Sequence, residues 1–213
     1  MKQWLMAERT EDVGRFYDEH YLKDGAISFT EDRTSVIDIL KRFSVPYAKE
    51  GFTKSQRLLD AGCGNGQFIE TMCEHVFCVG VEVSKAAFYI ATDKLGGRAY
   101  IFDTPIENIP SDWIGTFDYV TCLGVLEHTM DPRKCFSKLM DCLKPGGILL
   151  VTVPLDFNDC FRYIIAERNQ KTNERFASVD EWREYFGIAE EAFSIIGEGE
   201  TKHVALVYEK RET

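Results

Sequence analysis

The stretch LLDAGCGNGQF, Leu58 to Phe68, decides how the rest of the chain is read. An apolar run ends in the acid Asp60, and three glycines, Gly62, Gly64 and Gly66, follow at alternate positions. Glycine lets a backbone turn sharply out of a strand into a helix, and lets a ligand approach where a Cβ would collide. The segment therefore reads as strand, glycine turn, helix, the arrangement that places a ligand at the carboxyl edge of a parallel sheet.

Working outward, short apolar or β-branched runs alternate with amphipathic stretches, the pattern of a sheet covered by helices on both faces. Strands are expected at 57–61, 77–82, 99–102, 117–122, 147–154, 192–196 and 204–208, and helices at 67–74, 85–94, 132–143 and 179–186. Pro132 suits a first helical turn, Gly146 suits a helix C-terminus, and Ser178 or Asp180 suits the cap of the last helix. The final two strands are separated only by residues 197–202, too few for a helical crossover, so they should pair antiparallel. Residues 1–50 carry helical patterns without strands, and are expected to form an N-terminal helical lid on a single α/β domain that occupies residues 51–213.

Composition narrows the partners. The 213 residues are 45% hydrophobic and carry 35 acidic against 25 basic side chains, a formal net charge of −10, which disfavours nucleic acid. Seven cysteines with no paired spacing read as reduced thiols, so a cytoplasmic setting is expected. No apolar leader or membrane-length segment is seen, and no membrane association is expected. No metal-ligand spacing is present.

The glycine turn itself selects among ligands. A dinucleotide fingerprint would put its third glycine at position 67, where Gln67 stands, and no Gly-Lys-Ser/Thr follows for a P-loop. Asp60 would repel a phosphate and favour a cation. Glu82, closing the second strand in VGVEVS, can accept from both hydroxyls of a ribose, and Asp103 in YIFDTPIENIP is placed for an exocyclic adenine amine. A zwitterionic nucleoside fits this edge better than a pyrophosphate does.

These motifs, with FDYVTCLGVLEHTMDP and LKPGGILLVTVP, resemble the class I S-adenosylmethionine-dependent methyltransferases, closely over residues 57–154. The resemblance implies a Rossmann-like seven-stranded, mostly parallel sheet of order 3-2-1-4-5-7-6 with strand 7 antiparallel. It implies S-adenosylmethionine as cofactor and S-adenosylhomocysteine as product. It also implies that Asp60, Gly62 and Gly64 hold the methionine end, Glu82 the ribose, the Ile106 amide the adenine, and the backbone at Cys122 and Leu123 the methionine portion. The family's adenine segment Asp-Ala-Glu reads Pro105-Ile106-Glu107 here, and Asp103 is the candidate to replace the missing acid.

Candidates for acceptor chemistry are His128 and Glu127 in LEHTMDP, and Tyr17 and Tyr21 in FYDEHY, which share a helix face with His20. His128 has two readings, a structural residue at a strand-to-helix junction or a general base for a hydroxyl acceptor. The tyrosines have two as well, core packing or a cap over the methyl donor. A small-molecule acceptor methylated on oxygen or nitrogen is the leading expectation. RNA or protein acceptors, and a non-catalytic cofactor-binding module, are the rivals. Arg162, Arg168 and Arg175 would serve an acidic acceptor, or lie on a solvated helix.

Overall fold

In the computed structural model of the chain, residues 10–24, 52–154, 179–187, 193–196 and 203–210 are described. Seven strands form one sheet of order β3-β2-β1-β4-β5-β7-β6. They are β1 Arg57–Ala61, β2 Phe77–Glu82, β3 Tyr100–Asp103, β4 Phe117–Leu123, β5 Leu143–Pro154, β6 Phe193–Ile196 and β7 His203–Glu209. The pairs from β3 through β5 are parallel, and β7 runs antiparallel to both β5 and β6. The expected order and the final antiparallel pair are both present.

Side-chain alternation along the strands splits the core into two layers. On one face Leu59, Val79, Val120, Leu149 and Val151 pack beneath α4 (Pro132–Cys142) and α5 (Val179–Phe186). On the other, Leu58, Cys78, Tyr119, Ile148 and Leu150 meet α2 (Gln67–Met72) and α3 (Lys85–Leu95). Helix α4 shows how sequence sets an element. Asp131 caps it by accepting from the Lys134 N–H at 3.0 Å, Pro132 occupies the first turn, and Cys135, Phe136, Leu139 and Cys142 form its buried face. Burial of Phe136 or Leu139 contributes about 1.5–3 kcal/mol each. In α5, Trp182 stacks on Phe186, which stacks on Phe136 of α4 with ring centroids 4.5 Å apart.

Some expected boundaries shift. Helix α4 stops at Cys142, so Gly146 is not its C-terminus; its φ of 73° instead bends β5, with its N–H donating to the Lys210 carbonyl. Asp180 lies inside α5 and pairs with Arg183 at 2.9 Å rather than capping it. Strand β3 runs one residue further than expected, to Asp103. Of the lid, α1 (Thr10–Asp24) is described. Ser178, Cys160, the three arginines of the 155–178 segment and the 197–202 connection lie outside the described residues. The six described cysteines are all unpaired and buried.

Helix α1 lies across the carboxyl edge of the sheet and is fastened to the start of α3. The Ser84 hydroxyl and the Ala86 N–H both donate to Asp18 Oδ1, at 2.7 and 2.9 Å. Ser84 itself caps α3 by accepting from the Ala87 N–H at 3.2 Å. A carboxylate at a helix N-terminus is favoured by unsatisfied amides and by the helix dipole. Gly14 lies so close to the loop after β2 that a Cβ there would stand 2.7 Å from the Val83 carbonyl oxygen.

Candidate functional site

A large cleft, enclosing about 1060 Å³ continuous with solvent, opens between α1 and the carboxyl ends of β1, β2 and β4. Its floor is the glycine turn. Gly62 has φ 76° and Gly64 φ 53°, values that side chains rarely adopt. A Cβ at Gly62 would strike the Val125 side chain at 2.5 Å, and one at Gly64 the Tyr21 hydroxyl at 2.6 Å. The turn is therefore bare backbone closed in from above by α1.

Two buried carboxylates flank it. Asp60 is 3% exposed, and the parallel register of β1 with β4 sets it beside Thr121, whose hydroxyl donates to Asp60 Oδ1 at 2.7 Å. Burial pushes the Asp60 carboxyl from its ordinary 3.8 up to about 7, against the Thr121 bond and with the Glu82 charge. Glu82 ends β2, and its two oxygens accept separately from the Gly64 and Ser84 N–H groups, each at 2.8 Å. Burial raises its carboxyl as well, while those N–H bonds oppose the rise. Each oxygen can accept a second bond, so both hydroxyls of a diol have acceptors there.

The tyrosines and His128 complete the opposite wall. Tyr17 meets the His128 ring edge-on at 5.4 Å between centroids. Burial and the Glu82 charge raise the Tyr21 phenol, so Tyr21 stays protonated at neutral pH and acts as a donor. The same influences hold the Cys63 thiol protonated, which removes it as a nucleophile. His128 lies on a short 3-10 turn after β4, Leu126–His128, with its Nε2 3.7 Å from Glu127 Oε1.

The structure brings Asp60, Gly62, Gly64 and Glu82 to one cleft wall, and Ile106, Leu123, His128, Tyr17 and Tyr21 around the rest of it. Three candidates stand apart from the lining. Glu127 is buried behind His128, and Cys122 is fully buried in the sheet core. Asp103 is exposed and does not line the cleft, although it ends β3 in register with Glu82. Sequence reasoning passed over Thr121, Asp18 and Glu107. Only the strand register could have flagged Thr121, and no local pattern marks Asp18. The His20 side chain lies outside the described residues.

Comparison with known proteins agrees with this geometry. A family described as methyltransferase domain matches residues 29–194. Ubiquinone biosynthesis O-methyltransferase of Bordetella avium is 31% identical over 101 residues, covering 46% of this chain and 42% of that protein. Its counterpart in Marinobacter nauticus is 31% identical over 140 residues, covering 61% and 57%. The chain thus spans about half the length of the curated relatives it matches. Among solved structures, the N-methyltransferase NodS of Bradyrhizobium japonicum, in complex with S-adenosylhomocysteine, superposes with a TM-score of 0.68 at 17% identity, over 94% of this chain and all of that one.

Proposed function

This chain belongs to the methyltransferase domain family, and on that premise we propose that it transfers a methyl group from S-adenosylmethionine to an oxygen or nitrogen atom of a small-molecule acceptor. The observation that carries the reading is the convergence of two buried carboxylates, Asp60 and Glu82, on a bare glycine turn beneath α1. The cradle fits the cofactor on three counts. Side chains at Gly62 or Gly64 would fill it, Asp60 favours a cation once ionised, and Glu82 offers paired acceptors to a ribose.

When bound, the cofactor supplies a methyl group already activated on a sulfonium centre. Gly62, Gly64 and Asp60 would hold its amino-acid end, Glu82 its ribose, and the Ile106 backbone its adenine, with Leu123 along the methionine portion. Tyr17 and Tyr21, carried on α1, cover the cleft and exclude water, which strengthens alignment of the two reactants. His128 lines the wall between Tyr17 and the turn after β4, where it would take the proton from a hydroxyl acceptor, and Glu127 behind it would orient the ring.

Residues 1–50 then serve as the lid and residues 51–213 as the transfer domain. The relatives named as ubiquinone O-methyltransferases and the N-methyltransferase NodS support a small acceptor carrying a hydroxyl or an amine. Calorimetry on the full chain tests the first half of the reading: S-adenosylhomocysteine should bind at micromolar level. Incubation with labelled S-adenosylmethionine and a panel of phenols and amines tests the second. Absence of binding to either form of the cofactor would sink the proposal.

A further inference from the structure

The sheet ends at β3, and the described large apolar side chains that stand exposed gather there: Phe77, Tyr100, Phe102 and Ile114. Tyr100 is 58% and Phe102 42% exposed, and as alternate residues of β3 they share a sheet face. Ring contacts join them into a strip, with Phe77 5.5 Å from Tyr100 and Phe102 5.1 Å from Trp113, the neighbour of Ile114. Contiguous apolar patches of this kind mark contact sites.

The backbone of β3 is open on the same side. It has β2 as one neighbour and no further strand beyond it among the described residues. The Thr104 N–H donates to the Glu82 carbonyl at 3.0 Å, so in this parallel ladder Tyr100, Phe102 and Thr104 bond inward to β2. The N–H and carbonyl groups of Ile101 and Asp103 alternate with these and point outward. Sheets commonly blunt such an edge with lysine or proline. The stretch RAYIFD, Arg98 to Asp103, contains neither.

Those six residues are complementary to themselves. Arg98 stands at one end and Asp103 at the other, with both aromatic rings between. In an antiparallel pair of copies about a two-fold axis through Ile101, the two Ile101 residues exchange both backbone bonds, and Tyr100 falls opposite Phe102 twice. Asp103 then meets Ala99 of the second copy, beside that copy's Arg98. An axis through Phe102 or Asp103 would draw the two acids together and leave Arg98 unmatched, so charge selects the register. The exposed part of the strip offers on the order of 400 Å² per copy, which suits a reversible dimer rather than a permanent one.

We propose that β3 is a self-association edge, at which a second copy of this chain adds its own β3 antiparallel over residues 99–103 and joins the two sheets end to end.

Sedimentation velocity on the full chain from about 1 to 200 µM should show monomer passing to dimer, with a dissociation constant of about 10–100 µM. Tyr100→Lys places a charge against Phe102 of the second copy, and Asp103→Arg sets like charges together at Arg98; each should weaken association at least about tenfold. Leu22→Lys, at an exposed apolar position on α1, should leave it unchanged. Amide exchange by nuclear magnetic resonance at both ends of the concentration range tests the register in the unaltered chain. The Ile101 and Asp103 amides should slow about tenfold on dimerisation, while that of Phe102, already bonded to β2, changes little. This measurement decides the matter if either β3 variant does not fold by circular dichroism. A chain that stays monomeric throughout, a dimer indifferent to both β3 variants, or one that leaves the Ile101 and Asp103 amides unprotected overturns the inference. Protection of those amides in a monomeric chain only when cell extract is added would give the edge to another protein, and overturns it as well.

Discussion

At the residue scale Asp60 carries the sharpest consequence. Its carboxyl, ordinarily near 3.8, stands at about 7 in the folded chain, chiefly because it is buried. A carboxyl with a raised folded value binds its proton more tightly in the native state than in the unfolded one. Its contribution to stability is therefore fully present below the unfolded value and is lost as pH rises through about 7. Between roughly pH 4 and 7 this group alone lowers unfolding free energy by up to about 1.4 kcal/mol per pH unit. Asp60→Asn keeps the acceptor for Thr121 but cannot ionise. Urea denaturation should show the variant gaining on the wild type by about 2–4 kcal/mol between pH 4.5 and 8. Parallel stability curves would show that Asp60 does not titrate in this range. Under the proposed function this cost at neutral pH has a return, since ionised Asp60 would gain a cationic partner on the cofactor that Thr121 does not supply.

At the element scale the question is what holds α1 over the cleft. Asp18 fastens it to the first turn of α3, and Gly14 lets the two backbones meet beside Val83. Replacing Gly14 by Ala separates two effects that most lid mutations confuse. Alanine favours the helix by about 1 kcal/mol, yet its Cβ would stand 2.7 Å from the Val83 carbonyl, so α1 must lift. Gly14→Ala should leave thermal stability level or slightly raised while weakening S-adenosylhomocysteine binding by about tenfold in calorimetry. Equal losses of stability and affinity would mean that α1 is merely part of the core. Elements of this kind divide what was legible in the sequence from what was not. Strands β1 and β2 were readable to the residue, because each is a short, almost continuously buried apolar run, and the glycine turn marks the end of β1. The docking of α1 was not, because Asp18 makes its bonds to residues 66 and 68 positions away. Asp103, expected just past β3, is the last residue of that strand, in register with Glu82, and does not line the cleft. Gly146 was read as a helix end because positive φ serves a strand bend equally well.

At the scale of the whole molecule, the cleft walls come from sequence-distant parts of one sheet, so ligand binding and global folding should be linked. Asp60, Glu82, Ile106 and His128 lie at or after the ends of β1, β2, β3 and β4, and β7 closes the sheet against β5 along seven paired positions from Ile148 to Pro154. Unfolding any central strand removes the site, so a ligand that binds only the native chain stabilises all of it. At about a hundred times its dissociation constant, S-adenosylhomocysteine should add roughly 2.7 kcal/mol. For a chain of this size that corresponds to a rise in melting temperature of about 5–10 °C. In a variant with Trp4 and Trp113 replaced by Phe, Trp182 of α5 is the only tryptophan left, so its fluorescence samples a different part of the fold from the backbone signal of the central sheet. If residues 51–213 act as one domain, fluorescence and far-ultraviolet circular dichroism should report the same midpoint with and without ligand, and shift together. A ligand shift seen in the backbone signal but absent from fluorescence would divide the chain into two folding units, and would place α5 outside the unit that binds the cofactor.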